Sequence, residues 1–341
     1  MNGSVRIDEA FMYFRLFVLA ISLASGCSES RPKLGPIRPI YNHKGESDIC
    51  DVFFIPDSEK YVVVESGRVL AFDMATETPL ESVRIDNWIV NGFCFGTYSA
   101  RNKQIYLGRS DLGICCFDSE SLISVDQPKI LGSKFFHELK DSQDFVTIRN
   151  RSELCRIDAD SGSIKWKTTI RKGRYFAHDF HSELIAINEN FDGTVEKVSF
   201  IELSGGTPTG YTIRHSAPIR GLAFSSDGSL LATTCDDGFV RVHDLVKQKT
   251  IWEQKNDVDG AFAVAIHPND DYVAVGCMRG IKIWSLKTRS MVSSWNGHSW
   301  FADCMSFSND GEYLLSGSPD DTAALWRTRE LIGRIEYVKP Y

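Results

Sequence analysis

Residues 305–327 read MSFSNDGEYLLSGSPDDTAALWR, and residues 222–244 read LAFSSDGSLLATTCDDGFVRVHD. Residues 264–285, between them, read VAIHPNDDYVAVGCMRGIKIWS. Each stretch holds a short apolar strand, a polar turn, a strand rich in small residues, a second turn and an alternating strand. The apolar residue before the first turn recurs after 42 and then 41 residues, at Phe224, Ile266 and Phe307. A fixed period of this length predicts β-blades, because one four-stranded sheet with its turns uses about 40–45 residues.

Four residues of the last copy carry a resemblance to a known family. His298, Ser316, Asp320 and Trp326 stand where the WD-repeat β-propeller family has a His, a Ser or Thr, an Asp and a Trp. The resemblance implies that the four side chains hydrogen-bond together as a structural tetrad. A buried carboxylate is unfavourable unless donors reach it, and His and Ser supply such donors.

An earlier copy has the same tetrad with one exchange. By the same resemblance, its places fall on His215, Thr233 and Asp237, with His243 where the Trp would be. The interval from His to Asp is 22 residues in both copies. The copy between them keeps Trp284 but lacks the turn Asp. We interpret these residues as structural, so we expect no catalytic role for them.

The number of blades follows from the ends of the third strands. An apolar or aromatic residue followed by a polar one recurs at intervals of 45, 40, 44, 42, 41 and 42, at Phe72-Asp73, Phe117-Asp118, Ile157-Asp158, Ile201-Glu202, His243-Asp244, Trp284-Ser285 and Trp326-Arg327. Alternation of the strand type precedes each pair. The sequence therefore predicts an all-β protein, a single seven-bladed β-propeller of four-stranded blades over residues 40–341.

Two parts of the propeller are less regular. In blade four, residues 188–193 (NENFDG) are interpreted as a turn-rich insertion and residues 205–210 as a loop. Blade seven needs an outer strand, for which residues 331–338 (LIGRIEYV) and residues 36–43 (PIRPIYNH) compete. We favour residues 36–43, because their two prolines suit an edge strand, where a missing N–H is tolerated.

The N-terminal segment is predicted to direct export. Residues 16–24 read LFVLAISLA, which is too short to span a bilayer but fits a secretory signal over residues 1–26. Asp8 and Glu9 are unusual where a positive region is expected, and a start at Met12 would remove them. An ordinary signal peptide that is cut nearby is the alternative to the lipoprotein signal described next.

Residues 24–27 (ASGC) resemble the bacterial lipobox. The resemblance implies that Cys27 receives diacylglycerol and becomes the first residue of the mature protein. Residues 27–39 would then be the lipidated Cys and a proline-bearing tether. Because Ser28 follows the Cys, resemblance to proteobacterial lipoproteins favours the outer membrane of the bacterial cell envelope. A cytoplasmic location is the alternative, since the other cysteines have no evident pairing and free thiols are commoner in reducing compartments.

Composition and motifs give little support for chemistry. A formal net charge of -7 argues against a nucleic-acid partner, whose binding face should be basic. The nine cysteines lack paired metal-ligand spacing, and His178 and His181 are too few for a site. We expect no metal and no cofactor.

One resemblance leaves an enzyme as the alternative. Residues 156–167 (RIDADSGSIKWK) are similar to a phrase of quinoprotein-type propellers, and the Cys115-Cys116 pair suggests the vicinal disulfide of some quinone-dependent enzymes. However, the pair lies in a strand pattern, where neighbouring side chains point to opposite faces. The phrase is structural in that family, so the pattern predicts no enzyme.

A binding platform remains. The loops that enter the first strands of a propeller lie on one rim, and Trp, Tyr and Arg are frequent in interface hot spots. The candidate rim residues are Arg220, Trp300, Phe301, Asp303, Arg171, Arg174 and Tyr175. We expect a non-catalytic protein–protein interaction scaffold, a membrane-anchored lipoprotein whose partners are other proteins. The alternatives are a quinoprotein-like enzyme and a cytosolic WD-repeat adaptor.

Overall fold

The computed structural model describes residues 38–39, 41–75, 79–84, 95–99, 103–109, 113–125, 133–138, 144–149, 152–158, 161–171, 176–179, 183–191, 195–256, 260–278 and 280–333. The chain divides into two units, Met1–Pro36 and Ile37–Tyr341, and the second holds all the described residues. The predicted signal segment, Cys27 and residues 27–37 of the predicted tether lie outside them. Arg174, Tyr175 and His181 also lie outside them.

The first half of the described chain contains the outer strand of blade seven, which comes first, and the strands of blades one to four. They are β1 (Tyr41–Lys44), β2 (Ile49–Ile55), β3 (Lys60–Glu65), β4 (Arg68–Asp73), β5 (Pro79–Arg84), β6 (Phe95–Ser99), β7 (Gln104–Arg109), β8 (Gly113–Asp118), β9 (Ser133–Glu138), β10 (Asp144–Arg149), β11 (Glu153–Asp158), β12 (Ile164–Thr169), β13 (Phe176–Asp179), β14 (Leu184–Phe191), β15 (Val195–Glu202) and β16 (Pro208–His215).

The second half contains blades five to seven and one short helix. Its elements are β17 (Ile219–Phe224), β18 (Leu230–Cys235), β19 (Phe239–Asp244), β20 (Lys249–Lys255), β21 (Val264–Ile266), β22 (Tyr272–Cys277), β23 (Gly280–Ser285), β24 (Ser290–Trp295), β25 (Cys304–Phe307), β26 (Tyr313–Ser318), β27 (Thr322–Arg327) and α1 (Thr328–Leu331). Among the residues that the structure describes, no helix has the length and apolar character needed to cross a membrane.

These strands form seven antiparallel sheets, one per blade. Each of the seven third strands ends on the second residue of its predicted pair, which confirms the seven-bladed propeller. Within the described residues six of the sheets have four strands each. The sheet of blade two has three strands, β6–β8, and an isolated bridge joins Phe117 of β8 to Ser124. The first strands of neighbouring blades contact one another for β13, β17, β21, β25, β2, β6 and β9 in turn. These strands therefore line the axis of the propeller.

Blade seven is closed by the N-terminal strand. Strand β1 runs antiparallel to β27, with Tyr41 opposite Leu325 and Lys44 opposite Thr322. The prediction that the segment before blade one supplies the outer strand is confirmed, although the strand begins at Tyr41. Pairing β1 with β27 covers an edge that would otherwise expose unpaired backbone groups.

The core lies between the blades, so the inner strands are buried on both faces. In β3 every residue after Lys60 is buried, as expected when a neighbouring blade covers each side. Tyr61 and Phe72 of blade one stack with centroids 5.0 Å apart and share a cluster with Leu315 of blade seven. Each blade is therefore stabilised mainly by the apolar contacts with its two neighbours.

Blade four differs from the prediction. Residues 188–191 of the predicted insertion instead continue β14 and pair with β15, while residues 192–193 lie outside the described residues. Asn188 Nδ2 donates to Glu196 Oε2 at 3.4 Å, and Glu196 also accepts from the backbone N–H of Ile219. These partners allow polar side chains to remain buried within a strand. The predicted loop over residues 205–210 is shorter, since β16 begins at Pro208.

Candidate functional site

Blade seven brings its four predicted tetrad residues together. His298 Nε2 lies 2.8 Å from Ser316 Oγ, and Trp326 Nε1 donates to the same oxygen at 2.9 Å. On its other side His298 Nδ1 lies 2.7 Å from Thr322 Oγ1, which donates to Asp320. Thr322 was not predicted, and it links the imidazole to the carboxylate, whose oxygen is 3.6 Å from Nδ1.

The charge of this network is set by Asp320. Burial raises the pKa of Asp320, but the nearby His298 and the hydrogen bonds from Thr322 and the Ser299 amide lower it by more. The carboxylate therefore stays ionised and fixes the turn that enters β27. Nothing in this arrangement presents an activated nucleophile, since both polar faces of the imidazole are engaged within the blade.

Blade five replaces the tetrad with a different network. Thr233 Oγ1 lies 3.2 Å from His243 Nε2, and His243 Nδ1 lies 3.0 Å from Thr250 Oγ1. His215 meets the ring of His243 edge-on, with centroids 5.9 Å apart. In blade seven the strand hydroxyl, Ser316, bonds to both a His and a Trp. In blade five His243 takes the place of the Trp and bonds to the equivalent hydroxyl of Thr233.

Arg241 completes this network and was missed from the sequence. Its Nη1 donates to His215 Nδ1 at 3.3 Å, and its Nη2 donates to Asp237 Oδ2 at 2.8 Å. A guanidinium only donates hydrogen bonds, so Nδ1 accepts and the proton of the neutral imidazole is on Nε2. Within the described residues that Nε2 has no hydrogen-bond partner. Burial lowers the pKa of His215 to about 4 and that of His243 to about 3.

His215 and Asp237 of this network, with Cys235, form the one metal-like cluster found among the described residues. Ligand atoms of His215, Cys235 and Asp237 lie within 4.8 Å of one another. However, Arg241 already places a positive charge on Asp237, and burial raises the pKa of Cys235 to about 11. Metal ions bind the thiolate, and Arg241 already donates to the unprotonated Nδ1 of His215, so these residues are poorly suited to hold a metal ion.

The aromatic rim is the most exposed apolar feature among the predicted site residues. Trp300 is 49% exposed, and its ring lies 5.1 Å from that of Phe301. Phe301 in turn stacks on Phe262, with centroids 4.6 Å apart and planes at 20°. We use the name aromatic rim for Trp300, Phe301 and Phe262.

Phe262 was missed, although the repeat could have identified it. One residue in each of three blades lies four positions before the apolar end of the first strand, at Arg220, Phe262 and Asp303. Phe262 and Asp303 also pair alike, because their backbone N–H groups donate to Gly276 O at 2.8 Å and Gly317 O at 3.0 Å. Equivalent places in successive blades lie at one height around the axis, which sets the predicted rim residues beside one another.

Two carboxyl groups lie beside this rim, and we name Asp51 and Asp303 the acidic pair. Burial raises the pKa of Asp303, while Arg220 lowers it. Burial, with a smaller contribution from the charge of Asp303, raises the pKa of Asp51 to about 7. The Asp51 carboxyl accepts the backbone N–H groups of Gly96 and Val52, each at 2.8 Å. The two carboxyls therefore form one electrostatic cluster.

Among the other predicted rim residues, Arg220 and Arg171 lie within the described part of the chain. Arg220 pairs with Asp236, and its Nε lies 2.6 Å from Oδ1. Arg171 is exposed at the start of blade four, where its backbone N–H donates to Glu189 Oε1 at 2.9 Å. Arg174 and Tyr175 lie outside the described residues.

The features that suggested an enzyme occupy structural positions. Cys115 and Cys116 are free thiols in strand β8, opposite Leu107 and Tyr106. Their side chains therefore lie on opposite faces of the sheet, as the strand pattern predicts. His178 lies in β13, while His181 is outside the described residues.

The quinoprotein-like phrase of blade three builds a turn. Ser161 Oγ donates to Asp158 Oδ1 at 2.7 Å, and its backbone N–H donates to the same oxygen. Trp166 Nε1 donates to Leu203 O at 3.0 Å, which joins blade three to blade four. These contacts explain the phrase by its structure alone.

Comparison with known proteins detects WD40 repeats in this chain. The family described as WD domain, G-beta repeat matches residues 206–244 and 289–327. Transducin beta-like protein 3 of Rattus norvegicus is 31% identical over 118 residues, which are 34% of this chain and 15% of that protein. Small ribosomal subunit protein RACK1 of Candida albicans is 31% identical over 125 residues, 34% of this chain and 38% of that protein.

A longer match is weaker. Periodic tryptophan protein 2 homolog of Caenorhabditis elegans is 22% identical over 205 residues, 56% of this chain and 21% of that protein. The matched parts thus span well under half the length of each of these relatives. Both family matches begin in the turn just before the outer strand of one blade and end with the third strand of the next, so the sequence repeat is offset from the blade by one strand.

Proposed function

We propose that this chain is a non-catalytic protein-interaction scaffold that binds partners at the aromatic rim. The observation that carries the proposal is Trp300, a large side chain left 49% exposed although Phe301 and Phe262 support it from behind. Exposed aromatic side chains on a rigid support are typical anchors of protein interfaces. The closed ring of blades supplies that rigidity.

The comparisons support the same general role. One relative is named as a protein of the small ribosomal subunit, and another, from Arabidopsis thaliana, as a homolog of a pre-mRNA-processing factor. The first name describes a component of a large assembly. By analogy we assign this chain to an assembly as a binding subunit, with other proteins as its partners.

The scaffold is proposed to act at the bacterial cell envelope, with the outer membrane favoured. Support comes from the apolar run over residues 16–24 and from ASGC at residues 24–27, which would make Cys27 the lipidated first residue. Intact mass of protein from native membranes, before and after delipidation, tests this. A chain that starts at diacylated Cys27 is expected. A full-length unlipidated chain in the soluble fraction would instead make this a cytoplasmic adaptor.

The binding role is tested by comparing two variants in affinity capture with mass spectrometry. Trp300→Ala should lose partners that the wild type retains while its melting temperature is unchanged, because half of the side chain is already in solvent. Val246→Ala is the matched control, since Val246 is 82% exposed in the turn between β19 and β20. If Trp300→Ala keeps every partner, the aromatic rim is not the binding surface.

A further inference from the structure

The repeat places a basic, an aromatic and an acidic side chain next to one another where the first strands begin, at the end of the axis that we call the mouth of the propeller. Strands β17, β21, β25 and β2 contact one another in that order around the axis. Their equivalent positions set Phe262 between Arg220 and Asp303. Strand β2 carries Asp51 and packs on blade seven, since the Cα of Gly317 faces Val52. The aromatic rim and the acidic pair therefore share one end of the propeller.

The charges at this mouth are unbalanced. Asp303 accepts no hydrogen bond from any described residue, and Arg220, the cation that acts on it, is paired with Asp236. Desolvation and the charge of Asp303 raise the pKa of Asp51. Desolvation also raises the pKa of the half-buried Cys304 thiol, and the two carboxyls add to that rise. A positive charge brought to this place would relieve all three groups.

The aromatic rim, which is the apolar side of the mouth, also suits a positively charged side chain. Lys and Arg side chains carry a long apolar stem behind the charge, and an aromatic face attracts both parts. Trp300 offers such a face to solvent, and Phe301 backs it. The acidic pair would repel an acidic segment, and a purely apolar segment would match only the aromatic rim.

We propose that the aromatic rim and the acidic pair together receive an arginine or lysine side chain from an extended segment of a partner protein. The ammonium or guanidinium group pairs with Asp303 and Asp51, and Trp300 covers the stem. This assignment rests on the proposed scaffold function and adds the chemistry of the partner to it.

Selection of a random dodecapeptide library displayed on phage against the purified chain provides a defined probe. Selected peptides should be enriched in Arg or Lys, and one of them is then synthesised for calorimetry. We expect replacement of its key Arg by citrulline, which has the same shape without the charge, to weaken binding about tenfold or more. High salt should weaken it too.

Variants of the protein complete the test. Asp303→Asn and Trp300→Ala should each weaken binding of the synthetic peptide about tenfold. Asp57→Asn should leave the binding unchanged, because Asp57 lies in the turn after β2, at the other end of blade one. The citrulline peptide keeps the test decisive if Asp303→Asn fails to fold, because the protein is then unchanged.

The outcomes separate the two proposals. Peptides that need Trp300 but tolerate citrulline and Asp303→Asn would overturn the assignment of a basic partner and leave the scaffold proposal intact. Peptides that bind equally to Trp300→Ala would overturn both the basic site and the rim as binding surface. Failure to select any peptide would also count against both.

Discussion

The hydroxyl of Thr233 lies 3.2 Å from Nε2 of His243, in the place where blade seven joins Ser316 to Trp326. The exchange keeps the hydrogen bond but replaces an indole, which is always neutral, with a ring that can be protonated. Because His215 lies beside it, blade five holds two buried histidines where blade seven holds one. Stability at low pH should therefore depend on blade five.

His243→Trp should reduce the loss of stability in acid. Burial lowers the pKa of both His215 and His243, to about 4 and about 3, below the usual value of 6.5. As pH falls below 6.5 the unfolded chain binds protons that the folded chain does not, so stability present above that pH declines by up to about 1.4 kcal/mol per pH unit for each histidine. Urea unfolding at about pH 7 and pH 5 should show a shallower decline for the variant. Equal declines in the two proteins would contradict the prediction. From pH 7 to 8 the difference between their free energies of unfolding should stay constant.

Ser316→Ala should destabilise the chain by about 1–3 kcal/mol, because it removes the shared partner of His298 and Trp326. Ser293→Ala is the matched control. Both serines are fully buried on strands, but the Ser293 hydroxyl has no partner among the described residues. Its removal should change the free energy of unfolding little or raise it. Similar losses in the two variants, measured by urea unfolding, would show that the hydrogen bonds of Ser316 do not matter.

Glu65→Ala should weaken the closure of the ring. Glu65 is 1% exposed and accepts from His43 of β1 at 2.8 Å and from Arg68 at 3.1 Å. Removing a buried carboxylate that pairs with a cation costs about 3–5 kcal/mol. Hydrogen exchange of the β1 amides should also become faster, since His43 loses its anchor.

Glu46→Ala is the control for this closure. Its side chain is 58% exposed and pairs with the same Arg68, so its removal should cost about 0–1 kcal/mol. Protection of β1 that is unchanged in Glu65→Ala would show that backbone pairing with β27 alone holds the ring.

Asp51→Asn should change the pH dependence in the opposite sense to the histidines. Burial raises the pKa of Asp51 from 3.8 to about 7, so the folded chain binds a proton that the unfolded chain has lost between those values. Stability is therefore lost as pH rises through that window, and the Asn variant lacks this loss. The difference in unfolding free energy between wild type and variant, measured from about pH 5 to pH 8, should favour the variant increasingly. A constant difference would contradict the prediction.

The sequence could identify site residues only where their positions follow from the pattern within a single repeat. His298, Ser316 and Trp326 could be assigned because each stands at a fixed offset within one repeat. Arg241 could not, because an exposed-looking Arg on an alternating strand gives no sign that it will bridge His215 and Asp237. Its role depends on how the strand pairs bring three distant side chains together.

Blade four shows why a polar composition misled. The letters NENFDG are typical of a turn, yet Asn188 and Glu189 are 1% and 7% exposed inside β14. Glu189 accepts from the Arg171 backbone, and Glu196 accepts from Ile219. Such partners come from neighbouring connections and are invisible to a pattern read along one strand.

By itself the sequence determined the number of blades and the end of every third strand, because the hydrophobic period repeats within each 40-residue unit and needs no long-range contact. The sequence favoured residues 36–43 over residues 331–338 for closing the ring, but only the tertiary structure decided between them and showed which residues meet at one end of the axis. Tyr41 pairs with Leu325 across nearly the whole chain, and the offset of the repeat leaves blade seven one strand short. The N-terminal strand fills that edge because an unpaired row of backbone donors and acceptors on β27 is unfavourable, and the pairing joins residues that lie far apart in the sequence.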